Sequence, residues 1–319
     1  MGLIMSLKVA VIGCGSRGRG HIRILTEFPD VELVAVCDPI DTSLQKIVDE
    51  YSNITGYDNL ETMLDQVCPD AVWVAPPAHL NHLLAQPCLE RGIHTLMEKP
   101  PGLNLEQAQQ LLEIANKTKA KTMVGWNRRF NGFISEARNR VAKNGPIVQV
   151  VGEFHKNVKQ LISTGKFSDS IYDVMLLESP IHAIDTVRFL AGGEVVEVHS
   201  VVKRATSDYR DVHGATIVFD NNCFVHLISN YTAGSRLERY EIHGDGISAY
   251  LQGVSEGKIC QNEKAIDLPV PEKDSTWLQN RYFVDQIQSD SPIELPAANL
   301  QEGVKTMDLA IQILDGTRE

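Results

Sequence analysis

The chain has 319 residues, 43% hydrophobic and 22% charged, the composition of an ordinary globular protein with material for two domains or one large one. Its formal net charge of −11 argues against nucleic acid and anionic membrane surfaces as partners. It does not argue against a nucleotide, which backbone N–H groups bind locally. Cys14, Cys37, Cys68, Cys88, Cys223 and Cys260 form no C-x-x-C pair and no zinc spacing, and several sit in apolar runs. Reduced thiols in a cytoplasmic setting are expected, and no metal site. No signal peptide and no membrane span is expected. Met1-Gly2-x-x-x-Ser6 fits an N-myristoylation pattern, but a strand begins almost at once, and the fit reads as coincidence.

Residues 9–12, V-A-V-I, read as a strand buried on both faces. Gly13, Gly15 and Gly18 follow as G-x-G-x-x-G at a strand-to-helix turn. The first permits a tight turn, the second lets a pyrophosphate approach, and the third lets helix and strand sit close. Ser16 or Arg17 opens the helix, whose N–H groups face an anion. A second apolar strand, 31–37, ends at Asp38, 20 residues beyond Gly18, where a carboxylate accepts from a ribose diol. Strand, glycines, helix, strand and acid at this spacing point to a dinucleotide. Pro39 follows Asp38 where a phosphate-binding arginine would sit, so NAD is favoured, with NADP left open by Lys46.

Alternation continues. Helices are expected over 42–51, 59–67, 81–91 and 104–118, and strands over 71–75, 94–97 and 121–125. This pattern predicts a parallel, doubly wound sheet with helices on both faces and ligands beyond the strand ends. Asp38, Pro76, His79, Glu98, Lys99 and Asn127 fall at or just after such ends. Cys14 reads as a small filler among the glycines. After residue 125 the texture changes to strands over 147–153, 197–204, 215–219, 223–229, 239–243 and 248–252, with tight turns and closing helices over 277–288 and 300–314. The expectation is an α/β Rossmann domain, 1–125, and an α+β domain, 126–319, with an open, mostly antiparallel sheet. Apolar residues at both alternations of 215–219 and 223–229 predict face-to-face packing of two such sheets in a homodimer or homotetramer.

One helix interrupts the second domain. Ser179 suits its N-cap, Pro180 its first position, and Gly192 or Gly193 its end. His182 falls in the first turn and Asp185 follows at i+3. The positive helix end favours a neutral imidazole, as a general base requires. From the helix alone, a packed core histidine with Asp185 a solvated helix residue is the better fit. His155, on a strand, suits a structural role or a pocket wall. Arg128 and Arg129 suit surface ion pairs, and Asn127 a contact at the join. The polar stretch 156–170, with Lys159, Lys166 and Ser168, suits the rim of a pocket.

G-C-G-S-R-G, A-P-P-A-H at 75–79, M-E-K-P at 97–100, G-W-N-R-R-F at 125–130 and I-H-A-I-D at 181–185 occur in this order. Together they resemble the glucose–fructose oxidoreductase / inositol dehydrogenase / rhizopine-catabolism (Gfo/Idh/MocA) family across nearly the whole chain. The resemblance implies a nicotinamide cofactor and a sugar or cyclitol substrate, with the site between a Rossmann domain and an open-sheet domain. It puts catalysis on Lys99 and His182. Substrate contacts fall to Asn127, Glu178 and Asp185, and cofactor contacts to Gly13, Gly15, Ser16, Arg17, Asp38, Pro76, His79 and Glu98. Glu178 stands where the family often has aspartate, four residues before the histidine, a longer side chain separated from the helix by Pro180. Two other readings remain open: an NAD-dependent glycosidase with transient hydride transfer, and a cofactor-binding regulator without turnover.

Overall fold

The computed structural model describes residues 6–165 and 169–318, so the Met1-Gly2 pattern, Lys166 and Ser168 lie outside the described residues. The chain forms two compact units, one of residues 1–126 with 276–304, the other of 127–275 with 305–319.

The first unit alternates strand and helix in chain order: β1 (Leu7–Ile12), α1 (Ser16–Leu25), β2 (Val31–Cys37), α2 (Asp41–Glu50), β3 (Thr55–Tyr57), α3 (Leu60–Val67), β4 (Ala71–Val74), α4 (Asn81–Glu90), β5 (His94–Met97), α5 (Leu105–Thr118) and β6 (Thr122–Val124). The six strands are parallel in the order β3-β2-β1-β4-β5-β6, so the order reverses between β1 and β4. A crevice beyond the strand ends at such a reversal is where this architecture binds ligands. β4 is buried throughout, as a strand covered on both faces must be. Asn59 and Asn104 cap α3 and α5 by accepting N–H groups from Thr62 and Gln107. β3 was not expected: T-G-Y has no apolar run, and pairing with β2 at the sheet edge makes it a strand.

The helix Ser275–Gln288 returns almost entirely to this unit, which the expected division at 125/126 did not include. Aromatic contacts explain the return. Trp277 sits edge-on to Phe28 at 5.2 Å and Phe283 edge-on to Trp73 at 5.5 Å. Arg281 forks onto both oxygens of Asp30 at 2.8 and 2.9 Å.

The second unit continues with α6 (Gly132–Asn144), β7 (Ile147–Asn157), α7 (Val158–Ser163), α8 (Asp169–Tyr172), α9 (Ile181–Ala191), β8 (Val195–Lys203), β9 (Val212–Phe219), β10 (Phe224–Asn230), β11 (Thr232–Gly244), β12 (Ile247–Gln252), β13 (Glu256–Gln261), β14 (Lys264–Asp267) and β15 (Thr317–Arg318). The sheet order is β14-β13-β12-β11-β7-β10-β9-β8-β15, antiparallel except where β10 meets β7 and β15 meets β8. α9 lies on β7 with every residue buried. Gly152 permits that approach, because a Cβ there would stand 2.5 Å from Val187 Cγ1. The other face of β8–β10 is open, with Val201, Phe224 and Ile228 exposed. β13, β14 and β15 were not expected. β14 is exposed along its length and β13 has one well-buried residue, Ile259, so neither carries an alternation to read.

Candidate functional site

In the first unit the glycines meet their geometric demands. Gly13 has φ +96°, and a Cβ there would lie 2.7 Å from the Ala75 carbonyl oxygen. A Cβ on Gly18 would stand 1.7 Å from the Gly13 carbonyl oxygen, so only glycine lets α1 sit this close to β1. Gly15 opens onto space empty for 4 Å around its missing Cβ. It is also the N-cap of α1, which has no side-chain cap and no acid in its first turn. Ser16 and Arg17 therefore present helix-terminal N–H groups toward an opening, the arrangement that receives a pyrophosphate. Asp38 is buried, and its oxygens accept the Cys14 N–H at 2.7 Å and the Ile40 N–H at 2.8 Å. Each oxygen keeps acceptor capacity for a diol. These residues fit a dinucleotide. Burial, and then the Asp38 charge, push the Cys14 thiol up to about 12, which leaves it an inert filler.

Beyond β4 and β5, Pro76 is half-buried, and His79 is exposed on a short 3-10 turn, Ala78–Leu80. Lys99 is half-buried and directly follows buried Glu98. Asn81 fastens this segment: its Nδ2 donates to the carbonyls of Glu98 at 2.8 Å and Pro100 at 2.9 Å. Burial pushes the Glu98 carboxyl up. A hydrogen bond from His21 and the charges of His21, Arg17 and Lys99 outweigh that, so Glu98 titrates below the usual carboxylate range. Asn81 and His21 were not singled out from sequence. The readable trace of His21 is its place three residues after Gly18, on the buried side of α1.

In the second unit, α9 begins one residue later than expected. Pro180 is its N-cap and Ile181 its first residue, because the Ser179 hydroxyl is engaged elsewhere. That hydroxyl donates to Glu178 Oε2 and accepts from Lys156 Nζ, with Lys156 and Glu178 3.6 Å apart. Burial lowers the Lys156 ammonium and the Glu178 charge partly restores it. His182 is 5% exposed in the first turn, its backbone N–H on the Ser179 carbonyl at 3.1 Å.

Arg128 and Arg129 are buried, which corrects the expected surface pairs. Arg129 forks onto Asp185 with two bonds of 2.8 Å, each side chain 1% exposed. Thr306 Oγ1 donates to Asp185 Oδ1 at 3.1 Å and accepts from Arg188 at 2.9 Å. Asp185 thus anchors α9 internally, in place of the expected contact with substrate. Arg128 forks onto Glu238 with two bonds of 3.0 Å, and its Nη1 donates to Asn127 Oδ1 at 3.0 Å. His155 is half-buried on β7, and Lys159 is exposed on α7. Among the described residues no group of three or more His, Cys, Asp or Glu side chains could hold a metal ion. No helix there is long and apolar enough to cross a membrane.

A model of the oxidoreductase family with an NAD-binding Rossmann fold matches residues 7–126, and the GFO/IDH/MocA C-terminal domain model matches residues 135–249. The chain belongs to the Gfo/Idh/MocA oxidoreductase family. Among its relatives, D-glucoside 3-dehydrogenase of Escherichia coli K12 is 29% identical over 212 residues, 63% of this chain and 59% of that protein. The aligned stretch therefore spans less than two thirds of that relative. Inositol 2-dehydrogenase of Rhizobium meliloti 1021 is 26% identical over 250 residues, 75% of this chain and 74% of that protein. The solved structure of UDP-N-acetylglucosamine 3-dehydrogenase GnnA from Acidithiobacillus ferrooxidans matches with a TM-score of 0.82 at 21% identity, covering 97% of each chain. That likeness is one of fold. Family membership accounts for the glycine-rich turn and for the parallel sheet followed by an open one.

Proposed function

We propose that this Gfo/Idh/MocA protein is an NAD-dependent dehydrogenase that oxidises a secondary alcohol or hemiacetal carbon of a sugar or cyclitol. The observation that carries the reading is a dinucleotide cradle at Gly13–Gly15–Gly18 and Asp38 in a chain that also has Lys99 at a strand end and His182 in the first turn of a buried helix. Bound NAD supplies the hydride acceptor. His182 takes the hydroxyl proton. Lys99, as an ammonium, donates to the same oxygen and stabilises alkoxide character as it develops. Glu178, tied to Lys156 and Ser179, and Asn127 orient the other hydroxyls. The relatives' names, dehydrogenases of a glucoside and of inositol, support a polyol substrate.

The Asp38 carboxylate accepts from a ribose diol and repels a 2′-phosphate, so NAD is the proposed cofactor over NADP. The protein is proposed to work in the cytoplasm as a homodimer or homotetramer, the open face of β8–β10 being the joining surface. A panel of sugars and cyclitols incubated with NAD or NADP and followed at the NADH absorbance tests the activity. Accumulating NADH with at least one substrate, faster with NAD than NADP, is expected. A glycosidase would cleave substrate without net NADH, and a regulator would bind NAD and leave every substrate unchanged; either result overturns the reading.

A further inference from the structure

His21, on α1, is 1% exposed and lies between two oxygens, Asn280 Oδ1 at 3.0 Å from Nδ1 and Glu98 Oε1 at 3.4 Å from Nε2. The Asn280 oxygen also accepts the indole N–H of Trp73 at 2.9 Å. An indole N–H only donates, so the Asn280 amide must turn its oxygen there; the flipped amide would set two donors face to face. An amide oxygen only accepts, so His21 Nδ1 carries a proton. Nε2, on a residue 1% exposed, faces a carboxylate. A lone pair there would meet an anion without compensation. A second proton therefore lies between Nε2 and Oε1.

We propose that His21 carries both ring protons between Asn280 and Glu98, and that it acts as a positioning residue that fixes Glu98 as a buried anion immediately before Lys99. The part that concerns catalysis rests on the dehydrogenase reading above. The groups bearing on Glu98 are His21 and Arg17 from α1 and Lys99 from its own segment, all cationic. The backbone on either side is also tied, the Glu98 N–H to the Val74 carbonyl at 2.8 Å and the Glu98 carbonyl to Asn81. A fixed anion beside Lys99 favours its ammonium form, the form that donates to a substrate oxygen. His21 thus acts on Lys99 through Glu98, without touching substrate.

Two measurements on the full chain test this. Nitrogen-15 NMR of the wild-type protein labelled at histidine should show both His21 ring N–H groups at neutral pH; a single-proton tautomer would overturn the proposal even in an active enzyme. His21→Gln keeps an amide donor toward Glu98 and removes the charge. In that variant the Glu98 carboxyl should titrate higher than in the wild type, so the pH profile of kcat/KM changes shape at its acid end. At neutral pH kcat/KM should fall by up to roughly a hundredfold, the loss that a small misplacement of a catalytic group produces. His21→Gln added to Glu98→Gln should cost nothing further, because the histidine acts through the glutamate. A profile of unchanged shape, or losses that multiply, would overturn the positioning role. A wild type with both ring protons and no hydride transfer to any polyol would contradict the proposed function and leave the His21–Glu98 pair standing.

Discussion

His213 shows what one buried side chain imposes on the protein. It is 2% exposed on β9, and burial pushes its imidazole down from 6.5 to about 4. The folded state therefore binds this proton less readily than the unfolded state. Its effect is absent above the unfolded value, and stability is lost as pH falls from about 6.5 toward 4, by up to about 3 kcal/mol from this residue. Urea unfolding across that range should show the loss, and His213→Gln should flatten it; an unchanged slope in the variant would assign the acid sensitivity elsewhere. The candidate site divides at this scale. Gly13, Gly18, Asp38, Lys99 and His182 could be singled out as candidates because each sits in a local motif or at a fixed distance from one. His21 was not, because its partners Glu98 and Asn280 lie 77 and 259 residues away. Asp185 was misread for the same reason: Arg129 stands 56 residues before it.

The element that carries the proposed base is α9, and its anchorage explains why a helix buried on all sides holds Asp185 and Arg188. Arg129 and Thr306 close the polar groups into one network beneath the helix, while Gly152 lets the backbone approach β7. Replacing Arg129 by Met leaves Asp185 buried without its fork. We expect a loss of about 3–5 kcal/mol in urea unfolding, the penalty of breaking a buried pair, together with reduced turnover as α9 loosens. A loss below about 1 kcal/mol, the range of exposed pairs, would show that the network does not hold the helix. Long apolar elements such as β2 and α5 were legible from periodicity. Edge strands such as β3 and β14 were not, since the neighbouring strand and not their own pattern makes them strands.

At the scale of the whole molecule, the open face of β8–β10 leaves Phe224 and Ile228, 37% and 41% exposed, beside the polar Thr216 and His226. Light scattering at micromolar protein should give at least twice the 35.4 kDa chain mass. A monomer mass would reject the proposed assembly. The chain's two returns, at 276 and 305, were the large feature that composition did not reveal, because aromatic packing of Trp277 and Phe283 sets the first of them.

The central claim is that Lys99 and His182 handle one hydroxyl during hydride transfer. Single-turnover transfer to NAD should be compared in wild type, His182→Ala, Lys99→Met and the double variant, on a substrate found in the panel. Each single change should slow transfer by about a hundred- to ten-thousandfold with NAD affinity preserved, and the double variant should be little worse than the poorer single one. Near-normal transfer in His182→Ala, with the fold intact by circular dichroism, would return this histidine to core packing and leave Lys99 as the candidate for the proton.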